Sequence, residues 1–254
     1  MTAPSLQGQL HRRLQEALPF PYLVIDGLFN PRLLELIAEE FDQTRAETWA
    51  RIKSSYEETR RSVLGSRLGP ATQLYFNVVN SGWFVQWLSG VVGIPDLLTD
   101  PKLFGGGLHE CRPGGSFAVH RDFQYHRHLG LKNQMVFITY LNKGWQPEWG
   151  SALELWDEER HECVAKVQPE FGRTLLLPHG PKSYHGHPTP FFTPDGRTRR
   201  SVAAYYYTNP TAGEISRSDD VARDASLGGM AGLTLKRYVR ALTPPILWRG
   251  AQRK

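Results

Sequence analysis

From Leu103 onward the chain breaks into short runs rich in β-branched and aromatic residues, separated by Gly, Pro and Asn at intervals of about ten residues. The candidate strands are Leu103–Glu110, Phe117–Arg121, Met135–Leu141, Ala152–Trp156, Cys163–Val167, Thr174–Leu177, Tyr184–His187 and Ser201–Tyr207. No helical period separates them. Strands that do not alternate with helices argue against a parallel sheet and for a sandwich or barrel.

The first hundred residues read differently. Leu6, Leu10, Leu14 and Leu18 recur at helical spacing, so Leu6–Leu18 is an expected amphipathic helix, stopped by Pro19 and Pro21. Tyr22–Ile25 is a short apolar strand. Asn30 is a good N-cap with Pro31 at the first helical position, and the helix Arg32–Phe41 places Leu33, Leu34, Ile37 and Phe41 on one face. Residues 42–72 are polar, rich in Arg and Ser, and without sustained period, which predicts a long surface connection with room for a short strand. Such a connection, with Tyr56 and Tyr75, forms either a lid over a site or a plain surface loop. Ser81–Val92 returns to helical spacing and ends at Gly93-Ile94-Pro95. After Thr208 the chain is polar until Leu233–Leu242, an expected last helix closed by Pro244-Pro245.

A chain of 254 residues with 40% hydrophobic and 22% charged residues is ordinary for a globular protein and argues against extensive disorder. Cys111 and Cys163 form no CxxC, so neither a disulfide framework nor a zinc ribbon is indicated, and a reducing compartment is the natural setting. The first twenty residues lack the apolar stretch of a signal peptide, and no later segment reaches the length of a membrane span. A cytoplasmic location is expected. The net charge of +5 is gathered at Arg197, Arg199 and Arg200 and in the tail, at Lys236, Arg237, Arg240, Arg249, Arg253 and Lys254. It suits an anionic small ligand, a weak nucleic-acid contact or, for the tail above all, a solvated surface.

Chemistry enters with His120-Arg121-Asp122. On a strand, residues two apart point to the same face, so an imidazole and a carboxylate can reach one metal ion. An HxD triplet alone is a weak signal and needs a third ligand. Ser183-Tyr184-His185-Gly186-His187-Pro188 offers two, His185 and His187. Two histidines and one carboxylate leave open the positions that a non-haem Fe(II) oxygenase requires for co-substrate and O2. On the strand opened by Arg199, residues 199, 201, 203 and 205 share one face, while Arg200 faces away. The planar guanidinium of Arg199 and the hydroxyl of Ser201 can grip the distal carboxylate of a dicarboxylic acid whose other end chelates the metal.

These residues resemble the prolyl-4-hydroxylase-type branch of the Fe(II)/2-oxoglutarate dioxygenases, over almost the whole chain from Pro19-Phe20-Pro21 to Pro244-Pro245. The motifs that carry the resemblance are Phe104–Glu110, Gly114-Gly115 ahead of His120-Arg121-Asp122-Phe123, Tyr140-Leu141-Asn142, Leu153-Glu154-Leu155-Trp156, Ser183–Pro188 and the Arg199–Thr208 strand. The resemblance implies an α+β, mainly β fold: a double-stranded β-helix (jelly roll, cupin-like) core with supporting N-terminal and C-terminal helices. One domain over 1–254 then divides into helical support and lid (1–100), jelly-roll catalytic core (101–210) and C-terminal tail and helix (211–254). It implies His120, Asp122 and His185 as iron ligands, with His185 preferred over His187, and Arg199 with Ser201 at 2-oxoglutarate. The implied cofactors are Fe(II), 2-oxoglutarate as co-substrate and O2, with room for stimulation by ascorbate. The implied reaction hydroxylates an unactivated C–H bond of a small metabolite, amino acid or peptidyl, proline-like side chain, releasing succinate and CO2.

The chain departs from that pattern in two places. Cys111 stands where many prolyl hydroxylases have a tyrosine, and Gly150-Ser151 replaces a Gly-Gly doublet. The intact HxD favours hydroxylation over halogenation. An oxidative demethylase of nucleic-acid bases would need a basic groove with stacking aromatics, which the scattered Lys and Arg do not supply. A cupin-like binding module without turnover, or a purely structural jelly roll, leaves the ligands and anion clamp together unexplained. Among the remaining residues, His126 and His128 decorate a loop or touch substrate, Phe117 and Tyr205 read as core aromatics, and Cys111 as a small buried residue rather than a nucleophile.

Overall fold

The computed structural model describes residues 5–159, 161–211 and Glu214. Helices α1 (Leu6–Gln15), α2 (Pro31–Gln43), α3 (Pro70–Val79) and α4 (Gly82–Val92) are interspersed with β1 (Leu23–Asp26, after α1), β2 (Trp49–Lys53) and β3 (Glu58–Ser62) after α2, and β4 (Leu98–Thr99) after α4. Strands follow without further α-helices: β5 (Gly107–Cys111), β6 (Phe117–His120), β7 (Lys132–Tyr140), β8 (Leu153–Asp157), β9 (Glu162–Val167), β10 (Arg173–Pro178), β11 (Tyr184–His187) and β12 (Arg199–Thr208).

They form two antiparallel sheets. The larger runs β1-β10-β7-β12-β5-β3-β2, with β4 beside β12, and the smaller runs β6-β11-β8-β9. The strand order β10-β7-β12-β5 facing β6-β11-β8-β9 is that of a double-stranded β-helix, as expected. Strand alternation then assigns side chains to two cores. Val136, Tyr140, Leu175, Leu177 and Ala203 pack between the sheets with Leu153, Leu155 and Val167. Their neighbours Met135, Phe137, Leu176, Val202, Ala204 and Tyr206 face outward and pack against the helices, through Leu10, Leu14, Leu34, Ile37, Phe76 and Leu88. The helices therefore brace one face of the larger sheet and leave the space between the sheets for chemistry.

The long polar connection predicted over 42–72 is not a loop. β2 and β3 form a hairpin that extends the larger sheet, with Arg60 opposite Glu110 and Arg61 opposite His109 on β5. Half of its strand residues are charged and they carry no sustained hydrophobic alternation, which hides them from a periodicity argument. They are held by pairing, by Arg51 to Glu58 (3.0 Å), by Arg60 on the buried carboxylate of Glu110, and by Arg60 over the Trp49 ring at 4.3 Å. Helix α3 also begins inside that stretch. No side chain of its own caps it; the Glu40 carboxylate of α2 accepts from Ala71 N (2.7 Å) and Thr72 N (2.9 Å) instead. Tyr75 lies on that helix, fully buried, its hydroxyl 2.8 Å from Thr139 Oγ1, so it belongs to the core and not to a lid. Among the described residues, no helix is long and apolar enough to cross a membrane. The predicted helix Leu233–Leu242, Pro244-Pro245 and the basic tail lie outside the described residues.

Candidate metal centre

β6 and β11 are neighbours in the smaller sheet, and their register sets His120 directly opposite His185. That approach depends on Gly186, where an added Cβ would come within 2.7 Å of the Ala118 carbonyl on β6. Asp122 comes in differently from the expectation. β6 ends at His120, so the HxD triplet does not share a strand, and the carboxylate reaches the histidines from the segment just past the strand end. His120 Nε2 is 3.5 Å from Asp122 Oδ1, and His185 Nε2 is 3.6 Å from Oδ2. One donor atom from each of the three residues lies within 4.8 Å of the others.

The histidines are held in a metal-binding tautomer. His120 Nδ1 meets the Ala118 carbonyl at 2.8 Å and His185 Nδ1 meets the Ser183 carbonyl at 3.0 Å. A carbonyl only accepts, so each Nδ1 carries the proton and the Nε2 lone pair faces Asp122. Burial, reinforced by His120 and opposed by the Asp122 charge, brings the His185 pKa down to about 4. For His120 burial also opposes the charge, but the hydrogen bond and charge of Asp122 outweigh it and raise the pKa. Asp122 itself resists protonation: burial alone would favour the acid, and the surrounding imidazoles hold it well below the usual carboxylate range. Its Oδ2 is buried with no aligned hydrogen-bond partner. Two lone pairs and a buried carboxylate that converge on one point suit a divalent cation with N and O ligands.

Arg199 lines the same cavity as these residues. Its side chain is buried; Nε donates to the Ser151 carbonyl at 3.0 Å, and Nη2 lies 3.4 Å from the Tyr140 hydroxyl. The partners that the structure shows for this guanidinium are thus neutral, and a carboxylate delivered through the cavity would meet it with little competition. Ser201, two residues on, lines the same cavity, while the Arg200 side chain points away to Asp42 (2.5 Å) and the Ala38 carbonyl (3.2 Å), as alternation predicts.

Residues 106–207 match the family model of the 2OG-Fe(II) oxygenase superfamily. This segment is a 2OG-Fe(II) oxygenase domain. The superfamily implies Fe(II), 2-oxoglutarate and O2. Comparison with curated proteins gives no match. Among solved structures, a Pseudomonas putida prolyl-4-hydroxylase is similar with a TM-score of 0.56 at 16% identity, over 81% of this chain and 100% of its own. A Trichoplax adhaerens prolyl hydroxylase, in complex with a hypoxia inducible factor oxygen degradation domain peptide fragment, gives 0.59 at 15% identity, over 80% and 89%. A Phytophthora capsici prolyl 4-hydroxylase gives 0.50 at 17%, over 85% and 74%. At such identities these likenesses establish the shared fold.

The other residues that the sequence singled out are placed as follows. Phe117 and Tyr205 both line the cavity, Tyr205 while also packing against the inter-sheet core, and Phe117 stacks on the His120 ring at 3.9 Å. Glu57 and Thr59 of the hairpin complete the wall. His187 lines the cavity too but stands outside the convergent trio, 3.5 Å from Ser151 Oγ, with its pKa depressed by burial and then by Arg199. His126 is buried against Asp100 (3.1 Å) and accepts from the His128 and Leu129 amides, so it fastens its loop. Burial pushes the Cys111 thiol up to about 12, in keeping with a small unreactive residue. Sequence reasoning missed His179, whose Nε2 lies 3.0 Å from Asp122 Oδ2. No ligand spacing or hydrophobic period marks it.

Proposed function

We propose that the domain hydroxylates an unactivated C–H bond of an amino acid, a peptidyl side chain or a related small metabolite. Fe(II) would be held by His120, Asp122 and His185, and the distal carboxylate of 2-oxoglutarate by Arg199 with Ser201. The observation that carries this reading is the cavity itself, lined both by a convergent His-Asp-His trio and by a buried guanidinium with neutral partners. When bound, the iron supplies the O2 chemistry in which 2-oxoglutarate is oxidised to succinate and CO2 and the substrate C–H becomes C–OH, one oxygen atom going to each.

The chain's own groups do the rest. The carbonyls of Ala118 and Ser183 place the proton of each neutral ring on Nδ1, so Nε2 is the nitrogen that meets the metal, in His120 once the proton it shares with Asp122 has left. Ser151 holds Arg199 through Nε, which leaves other N–H groups of the fork for an incoming carboxylate. Phe117, Val136, Ile138, Leu153 and Tyr205 supply apolar wall that limits water around the reacting bond. Glu57 and Thr59 bring the hairpin's polar groups to the same cavity.

The test is succinate release from 2-oxoglutarate, with Fe(II) and O2, against amino acids, peptides and sugar-linked metabolites. A stimulated rate that falls to background in Asp122→Ala and His120→Ala is the expected result. A rate unchanged by either substitution removes that residue from the metal.

A further inference from the structure

His179 follows β10 in the loop Pro178-His179-Gly180-Pro181 and approaches Asp122 more closely than either proposed iron-binding histidine does: 3.0 Å to Oδ2, against 3.5 Å for His120 and 3.6 Å for His185. Both side chains are only 10% exposed, so bulk water does not compensate either. The contact is short but off the hydrogen-bond axis, and both ring nitrogens of His179, like Oδ2, are buried without an aligned partner. The loop is nonetheless braced. His179 N donates to the Gln134 carbonyl at 2.7 Å, Gly180 N to Ser183 Oγ at 3.1 Å, and the Arg121 guanidinium to the Pro181 carbonyl at 3.2 Å. The middle residue of His120-Arg121-Asp122 therefore fastens the loop that carries the extra imidazole. His179 is not part of the convergent donor set, so its partner is the carboxylate rather than the ion.

We propose that His179 is a positioning residue for Asp122. As metal loads, its Nε2–H turns onto Oδ2, which leaves Oδ1 to bind the ion alone. Hydrogen bonds in an unloaded site are often misaligned and tighten only in the working complex. The consequence is a count of coordination positions: a carboxylate that gripped the metal with both oxygens would occupy one of those that 2-oxoglutarate and O2 need. His179 keeps that position open and fixes the carboxylate's orientation, as partners of metal ligands commonly do. The inference rests on the metal-binding role proposed above for His120, Asp122 and His185.

Mn(II) serves as the probe, added to protein stripped with a chelator. The expected result for His179→Ala is Mn(II) affinity weakened about 10–100-fold by calorimetry. The number of exchangeable waters on the ion, read from line broadening in isotopically labelled water, should fall by about one as Asp122 becomes bidentate. His179→Gln can place an amide N–H near the Nε2 position and should restore both readouts, whereas His179→Leu keeps the bulk without the donor and should behave as Ala does. If the Ala variant fails to fold, the Gln and Leu pair carries the comparison, with thermal unfolding of the metal-free proteins as the control for the fold. Leu or Ala variants with wild-type affinity and water count overturn the proposal, as does a Gln variant impaired like Leu. Wild-type protein that takes up no Mn(II) overturns the metal centre and this inference with it, so the two failures are told apart.

Discussion

Where His120, Asp122 and His185 line the cavity the polar groups are electron-rich, whereas at Arg199 they are donors. Two imidazole lone pairs face the Asp122 carboxylate; Arg199, among the described residues, meets a carbonyl, a phenol hydroxyl and the face of the Tyr140 ring, all neutral. A sequence could have satisfied each group from within, and this one does so nearby. Glu110 is 2% exposed, yet Arg60 and Arg200 both pair with it and Thr198 donates to it. The contrast separates two uses of buried charge. Where the charges close on each other they fix the hairpin and β12 to β5; where they are left open, the proposed function has a cation and a dianion neutralise them.

The contrast breaks most readily at Arg199. Removing one partner of a buried, hydrogen-bonded charge pair costs about 2–5 kcal/mol, so Arg199→Ala should weaken 2-oxoglutarate binding by about 100-fold. Metal affinity should change by no more than about threefold, since additivity holds for sites without shared partners. Anaerobic titration of the visible charge-transfer band of the Fe(II) and 2-oxoglutarate chelate reads both. Equal losses for metal and 2-oxoglutarate would show that they do not occupy separate sites. Arg199→Lys keeps the charge without the planar fork and should fall between.

A smaller effect sharpens the metal centre. His185, brought down to about 4 by burial, is already neutral at pH 7 and binds a cation without losing a proton. His120, raised by Asp122 against the effect of burial, holds its proton to higher pH. Metal uptake near neutral pH should therefore release up to about one proton, from His120, and affinity should weaken by up to about tenfold per unit as pH falls below the raised value. Calorimetry in buffers of different ionisation heat measures the release, and Asp122→Asn should reduce it. Stability without metal follows a different sign rule. The folded forms of His109 and His185 refuse protons that the unfolded chain binds, so stability rises with pH between about 4 and 6.5 and is lost as pH falls through that window. A melting temperature that rises on acidification from 6.5 would contradict the burial that causes both shifts.

What the sequence made legible was set by periodicity. Alternation along Arg199–Thr208 separates Arg199, Ser201 and Tyr205 from Arg200 because a one-residue slip would turn every apolar neighbour to the wrong face. His120 and His185 lie on strands whose apolar residues fix their register, so their opposition follows from the fold. Asp122 was legible as a residue type and spacing, not as geometry, since the strand stops before it. Three features left no periodic trace. The β2–β3 hairpin is charged on both strands, α3 takes its cap from Glu40 some thirty positions upstream, and His179 sits between Pro178 and Gly180 and meets Asp122 only through tertiary folding. Phe117 and Tyr205 are aromatic like the interior, and only the position of the cavity tells wall from core.

The smallest effect concerns the layer behind the cavity. Tyr75 of α3 reaches through the outer core to Thr139 Oγ1 at 2.8 Å, which in turn lies 3.0 Å from Thr174 Oγ1, so three hydroxyls tie the helix layer to β7 and β10. Thr139 and Thr174 point to the helix side of the sheet, opposite the face that carries Ile138 and Tyr140 toward the cavity. Tyr75→Phe deletes one hydrogen bond and leaves the ring packed against Phe29 and Phe76. Thr139 keeps Thr174 as a partner, so no donor is stranded, and the loss should be about 1 kcal/mol of stability by denaturant unfolding. Metal and 2-oxoglutarate affinities should stay at wild-type values. If either moves with the stability, the outer layer transmits strain through the sheet, and the two faces of β7 are not the independent surfaces that their alternation makes them.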